Sequence, residues 1–573
     1  MKNFVKKERV IIRVKDVFCI FLIFLFSSSI GLTEEVPTVS LSISKTVKQE
    51  NKVVISSENI KNSVNETLKN SGIDIQRNTI HPNISVKGAT FQQSSILVDG
   101  VKVDDPQTAH NNLNIPVASE DIERIELLSD RGYAGAVNII TKKPDNKISA
   151  DFSVGDFMNK TGKISVSRSW DEFANRLSFE KKVSNGFCYD TNYDITNFSN
   201  RFEWKFSGLQ SGFSFGYLKK NIGARGFYAD YPSYEWTKTY LSKINLNFEQ
   251  SGILIKPEFQ WKQNNDEFEL DITKPGWSFN KHKTDVFTTQ VYVSKNNFSL
   301  TPSVSNEEIT SSNLGKHKRD VYDISADYNY NFAKKFNSTY GIRYNRFTAG
   351  GNSLLLPLFS SSYNFSEKTK VHFLVRSSAR QPSFTELYYN DKANTGNPDL
   401  NFEKATLYET GINCDFLSIN LFLRDEKDII DWIRWDTTQK WQAKNIGNAR
   451  FYGYEMGLNK TIERFSTSLK YFYTNSSKDA DYISKYALRY AHHLLTGEIS
   501  YPVIWKIKHE IYGLYKKRIS GEEYFVMDTN FSRKFSVGEY YIGVDNLLDK
   551  KYTEIPFVPM PPRIIRFRME LTF

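Results

Sequence analysis

Cysteine is nearly missing from this chain. Cys19, Cys188 and Cys414 are the only three, with no CxxC pair and no cysteine–histidine spacing suited to zinc. Long apolar runs are equally scarce: one occurs, near the N-terminus, and the mean hydropathy is −0.48. A polytopic bundle of membrane helices needs repeated runs of about 20 apolar residues, so that architecture is excluded. There is no HExxH or P-loop, and His492 and His493 fall within a predicted strand. An enzyme reading therefore lacks its parts. The net charge of +10 is spread over 573 residues without a dense Lys/Arg block, which argues against a nucleic-acid partner.

Aromatic residues are what the chain has in excess: 42 Phe, 32 Tyr and 9 Trp, or 14%. Two architectures combine that content with a hydrophilic average. One is a large soluble β protein. The other is a transmembrane β-barrel, whose alternating lipid-facing and lumen-facing residues hide the apolar half in the mean.

The N-terminus has its own pattern. Lys2, Lys6, Lys7, Arg9, Arg13 and Lys15 precede the apolar stretch 17–26, and small residues including Ser29 and Gly31 follow. That order predicts a secretory signal peptide over 1–31, the alternative being a single membrane anchor. Cys19 has no Leu-x-x-Cys context, so a lipoprotein is not expected, and two cysteines remain after cleavage.

Residues 32–145 form a distinct unit, poor in aromatics and mixed in periodicity. Ile60, Val64 and Leu68 repeat every four residues within 57–70 and predict one apolar stripe on a short helix. Short apolar runs follow at 84–86, 96–98, 122–128 and 137–140, with turn residues such as Asp99 and Gly100 between them. The expectation is a small α/β domain.

From residue 146 to 573 alternation takes over. In 321–332, Tyr322, Ile324, Ala326, Tyr328, Tyr330 and Phe332 share one parity, and Asp323, Ser325, Asp327, Asn329 and Asn331 the other. A strand places these sets on opposite faces. The C-terminus repeats the pattern, with Ile565, Phe567, Met569, Leu571 and Phe573 against Arg566, Arg568, Glu570 and Thr572. Charge inside and aromatics outside suit a polar lumen in lipid, and in lipid such a sheet has to close on itself. We count 22 candidate strands, the first at 147–156 and the last at 562–573. Their connections alternate between short turns and longer loops, among the latter 264–283, 305–319 and 426–445. Cys188 then falls in a long loop and Cys414 in a short turn, at opposite ends of a barrel about 25 Å tall, too far apart to bridge.

Particular segments resemble a known family. Residues 95–101 (SILVDGV), Ile115 and Pro116 with 120–126 (EDIERIE), and 136–143 (AVNIITKK) resemble, in order, three motifs of the plug domain of TonB-dependent outer-membrane receptors. Residues 380–388 (RQPSFTELY), 396–400 (GNPDL), 445–449 (NIGNA), 453–455 (GYE) and 545–552 (DNLLDKKY) resemble stretches of that family's barrel, and Phe573 its terminal aromatic. Residues 127–134 (LLSDRGYA) are shorter than the Gly-rich stretch the family carries there, a departure from its pattern.

The resemblance implies a 22-stranded antiparallel outer-membrane β-barrel closed by an N-terminal α/β plug. It implies a monomer among outer-membrane lipids that binds a scarce, bulky nutrient and imports it with work from the TonB complex. The TonB C-terminal domain would pair with an extended segment before the plug. Val36, Thr38, Val39, Ser40 and Leu41 are the candidate box, with Pro37 awkward where a donor is needed. The family implies no required cofactor. The branch expected is the cobalamin receptors, with a ferric siderophore or other metal chelate as the alternative and a passive porin or adhesin as the reading without energy coupling. Substrate candidates on the plug are Thr79, His81, Phe91, Gln92, Gln107, His110 and Asn111. On the barrel they are Phe227, Tyr228, Tyr231, Trp432 and Trp435, whose rings could stack on a planar ligand or belong to an interfacial girdle. Asp190, Asp194 and Asp230 are candidate calcium ligands in outer loops.

Overall fold

The computed structural model describes residues 46–49, 52–56, 64–69, 71, 73–77 and 82–573, except 207–208, 227–229, 334, 349–352, 478–480 and 556. The expected signal peptide and TonB box lie outside the described residues, as do Thr79, His81, Phe227 and Tyr228.

The N-terminal unit is built on the short apolar runs. Strands β1 (Thr46–Gln49), β2 (Lys52–Ser56), β5 (Ser95–Val98), β6 (Val101–Lys102), β7 (Ile122–Leu128) and β8 (Ala136–Thr141) form one sheet in the order β1-β2-β7-β8-β5-β6. Strands β3 (Asp74–Arg77) and β4 (Pro82–Ser85) make a separate pair. Only β5 and β8 run parallel within the larger sheet. Asp99 and Gly100, at φ of 48° and 84°, close the β5–β6 hairpin, the geometry that favours an Asp-Gly turn. Helix α1 (Val64–Lys69) covers the described part of the expected helix. Leu68, Ile75, Ile96, Ile125, Val137 and Ile139 share one buried core, which the barrel residue Leu241 joins.

The second unit is a closed barrel of 22 strands, from Ile148–Gly155 to Ile564–Thr572, and the expected strands are all there. First and last strands pair antiparallel, from Arg566↔Gly155 to Thr572↔Ser149, which leaves no edge. The parities hold. Tyr322, Ile324, Tyr328, Tyr330 and Phe332 point outward and are exposed, while Ser325 is buried. Arg568 turns inward to Asp151 at 2.8 Å. Among the described residues no helix is long and apolar enough to cross a membrane. Cys188 and Cys414 are both free, the first in a loop at one end and the second closing strand Glu403–Cys414 at the other.

Three expected loops need correction. Strands Ile253–Glu269 and Phe279–Lys295 leave only 270–278 as loop, and strands Phe298–Ser311 and Gly315–Phe332 leave 312–314. Beyond the apolar band the outward residues turn polar, as in the Lys281–Glu267 pair at 2.7 Å. Contrast between the faces is lost there, yet the backbone ladder continues. The third loop, 426–445, holds strands Ile430–Arg434 and Trp441–Asn445. They join Asn394–Thr395 and Ile483–Ser484 in a four-stranded sheet over the long-loop end of the barrel.

The N-terminal unit is fastened to the inner wall by buried ion pairs. Asp74 meets Arg518 at 2.7 Å and Lys516 at 2.9 Å. Asp121 meets Arg176 at 2.6 Å. Lys87 pairs with Glu409, and Ser129 lies 2.9 Å from the same ammonium. The short loop 129–133 has a clear geometry: Arg376, almost fully buried, donates to the carbonyls of Ser129, Arg131, Gly132 and Tyr133. At Gly216 the Pro116 carbonyl comes so close that a Cβ would lie 1.9 Å from its oxygen. Absence of a side chain is what lets the unit sit against the wall there.

Candidate functional site

The N-terminal unit presents loop 104–112 toward the long-loop end. The loop is held by its own polar residues. Asp104 accepts from the Ile96 amide at 2.7 Å, Asn112 from the Asp105 amide at 2.8 Å, and Asp105 from the Gln107 amide at 2.9 Å. Burial raises the Asp105 carboxyl above its usual range, and Lys262 opposes the shift. His110 sets Nδ1 2.9 Å from Asn83 Oδ1 and stacks on Phe91 with ring centroids 4.2 Å apart. Gln92 accepts from the Ala109 amide at 3.2 Å.

Three barrel loops close over this apex. Helix α2 (Phe384–Tyr388) begins with a capping box between Ser383 and Glu386. Its first amides, of Phe384 and Thr385, donate to the carbonyls of Pro106 and Gln107 at 2.9 and 3.1 Å. Arg380 grips both Glu386 oxygens at 2.8 and 3.0 Å and also pairs with Glu403. Gln93 donates to Glu403 and Glu426, each at 3.2 Å. A charged network therefore runs from the apex through the wall into the outer sheet. From the loop at 477–490, Tyr486 meets Phe91 edge-on at 5.0 Å and His110 at 6.2 Å.

The outer sheet has its own core of Leu387, Leu400, Ile430, Trp432 and Ala443. Asp431, buried within it, accepts from the amides of Trp432 and Tyr486 at 2.8 and 3.1 Å and from the Ser484 hydroxyl at 2.5 Å. Burial lifts this carboxyl to about 6, against the pull of those hydrogen bonds. The Lys485 ammonium is ringed by Trp432, Trp441 and Tyr486, 5.3 to 5.8 Å from their centroids.

Phe91, Gln92, Gln107, His110 and Asn111 therefore come together at the apex, with Tyr486 added by the fold. Two of their polar atoms, Gln107 Oε1 and Asn111 Nδ2, are buried and have no partner among the described residues. Such atoms cost about 1–3 kcal/mol each when left unpaired. The other barrel candidates stand elsewhere. Trp432 is buried in the sheet core, Trp435 is exposed beside Lys444 at 4.7 Å, and Tyr231 packs on Trp277 at 5.8 Å. The three aspartates do not gather: Asp194 pairs with Lys181, Asp190 is buried in its loop and Asp230 is exposed. Among the described residues no group of three or more His, Cys, Asp or Glu could hold a metal ion. The sequence reading missed Tyr486 and the Arg380–Glu386–Glu403 network, although the capping pattern at Ser383 and Glu386 was there to be read. Lower down, a cavity of about 120 Å³ lies between the plugging unit and the wall, lined in part by Lys87, Glu409, Asn420 and Lys470.

A closed, internally plugged barrel with a polar and aromatic apex under folded outer loops defines the class: a plugged outer-membrane barrel. The sequence profile of the family described as TonB dependent receptor-like, beta-barrel, matches residues 130–547, and the chain belongs to that family. It is thus a TonB-dependent receptor and transporter of the outer membrane. Similar solved structures include the siderophore receptor PirA from Pseudomonas aeruginosa, 17% identical, with a TM-score of 0.72 over 92% of this chain and 100% of that one. The Serratia marcescens hemophore receptor HasR, in complex with its hemophore HasA and heme, is 13% identical with a TM-score of 0.77 over 92% and 99%. The ferric-catecholate import receptor Fiu from E. coli K12 is 15% identical with a TM-score of 0.71 over 92% and 98%. No curated protein sequence matches the chain.

Proposed function

We propose that this receptor imports a bulky metal chelate of the ferric-siderophore or heme class, using work delivered by the inner-membrane TonB complex. The observation that carries the reading is the apex itself. Phe91, His110 and Tyr486 pack as one aromatic cluster, and Gln107 and Asn111 each hold a buried polar atom without a partner among the described residues, beneath loops that close over them. Planar or catechol-bearing chelates match that combination. The similar structures named above are receptors for siderophores and heme, which favours this alternative over the corrinoid first expected.

Purified protein titrated with a ferric catecholate, hemin and cyanocobalamin, read by tryptophan fluorescence, tests the reading. Binding of one iron chelate, weakened by His110→Ala and by Gln107→Ala, supports it. Tight binding of cyanocobalamin with no response to either iron chelate would overturn it. Energy coupling is assigned to residues 36–43, paired with the TonB C-terminal domain by strand addition. Deleting 36–43 should abolish energised uptake and leave surface binding intact; uptake that survives the deletion refutes the assignment. Removal of residues 1–31 as a signal peptide is checked by N-terminal sequencing of the mature chain.

A further inference from the structure

The outer wall carries a row of cations away from the apex. Cross-strand register connects Lys181↔Thr196, Thr196↔Lys219, Lys219↔Lys238, Lys238↔Asn265, Asn265↔Lys283, Lys283↔Thr310 and Thr310↔Lys316. Five lysines thus share one row with no carboxylate in it. They point away from the lumen: Lys238 is exposed on the parity of Ile244 and Phe248, while its neighbours Thr237 and Thr239 are buried. Three of the five are neutralised from adjacent rows. Lys181 pairs with Asp194, Lys283 with Asp285 at 3.1 Å and Lys316 with Glu308 at 3.5 Å. Lys219 and Lys238 stand directly opposite each other, and among the described residues no carboxylate pairs with either.

Two like charges opposed across a ladder are unfavourable by themselves. Their surroundings supply the reason to keep them. Two residues toward the short-turn end stand Tyr217 and Tyr240, with centroids 5.1 Å apart, and Trp261 and Phe287 continue this aromatic belt at 6.3 Å spacings. Below the belt the outward residues include Phe213, Phe215, Ile244 and Leu246, with Ser242 opposite Phe215. Aromatic belts mark the membrane–water interface, so the lysine pair lies at headgroup depth in the outer leaflet. Thr196 and Asn265 flank it and add neutral hydrogen-bonding groups.

We propose that Lys219 and Lys238 form a binding site for the phosphate of an outer-leaflet glycolipid, whose acyl chains lie on the apolar wall below. Facing Cβ atoms across a ladder are about 5 Å apart, so both ammonium groups can reach one phosphate. The site anchors the barrel in its own leaflet and leaves the plug apex free.

Native mass spectrometry of the purified full chain with bisphosphorylated lipid A tests this. The comparison is wild type against Lys219→Gln/Lys238→Gln and Lys219→Arg/Lys238→Arg. The Gln pair should lose affinity roughly 25-fold, the product of about fivefold for each basic residue facing an anionic lipid. The Arg pair should retain it, and a dephosphorylated glycolipid should bind wild type no better than lipid A binds the Gln pair. Equal retention by wild type and the Gln pair overturns the proposal. So does full competition by millimolar inorganic phosphate, which would make the site one for a free anion. Should the Gln pair fail to fold, the single variant Lys238→Gln carries the same comparison, with an expected loss of about fivefold.

Discussion

Replacing Asp74 with alanine should undock the plug from one side of the barrel. The carboxylate is 6% exposed and accepts from Arg518 at 2.7 and 3.0 Å, from Lys516 at 2.9 Å and from the Ala491 amide at 3.2 Å. Glu554 is the other carboxylate here, 3.1 Å from Lys516 and 3.8 Å from Arg518. Without Asp74, two buried cations share one anion. Breaking a buried pair by removing one partner costs about 3–5 kcal/mol. Because Glu554 still serves both cations, the lower end applies, about 3 kcal/mol, or on the order of a hundredfold in the docked-to-undocked ratio. The assay is a urea titration of detergent-solubilised protein, with protease cleavage of the plug read separately from barrel unfolding. Asp74→Asn should recover part of the loss, since it keeps hydrogen bonds and drops the charge. The two cations hold the Asp74 carboxyl well below the usual range, against the effect of burial. A depressed value means that stability is present above the unfolded pKa and lost only as pH falls through the folded one. The difference in docking between wild type and Asp74→Ala should therefore be flat from pH 5 to 8. A loss below about 1 kcal/mol for Asp74→Ala, or a decline of that difference within the window, would refute the reasoning.

Asp431 has the opposite sign. Its carboxyl is raised to about 6 by burial, so stability of the outer sheet is fully present below the unfolded value and declines as pH rises through about 6. The ceiling is about 3 kcal/mol. Asp431→Asn should flatten hydrogen exchange of the sheet, corrected for intrinsic rates, between pH 4 and 7. Phe567→Lys places a charge on the lipid face and should cost about 2–4 kcal/mol of folding stability in lipid vesicles; a cost near zero would mean the outward parity is misassigned. Gly216→Ala drives a methyl into the Pro116 carbonyl and should weaken plug docking by about 1–3 kcal/mol, with barrel assembly unchanged by gel mobility.

Legibility followed physical contrast. The 22 strands could be read because lipid on one face and a polar lumen on the other force a two-residue alternation. Strand Gly315–Phe332 begins seven residues before its aromatic stripe, which starts at Tyr322, because past the interface both faces meet water. The Asp-Gly hairpin at 99 and 100 and the capping residues Ser383 and Glu386 are local motifs, fixed by neighbours in sequence. The outer sheet at 394–395, 430–434, 441–445 and 483–484 could not be read. Its strands are two to five residues long and come from three different loops.

By itself the sequence determined the class of architecture. A lack of helical spans, an excess of aromatics and strict alternation leave a closed membrane barrel as the form that satisfies every backbone group in lipid. Motifs confined to single strands and turns identified the family. Tertiary structure decided what each polar residue is for. Arg376 became the clamp on four plug carbonyls, and Asp74 the staple to a strand more than four hundred residues away. Trp432 became core, and Phe91, His110 and Tyr486 became one packed cluster. Those roles depend on which strands the barrel's closure brings face to face, and residues so distant in the chain carry no local pattern that records it.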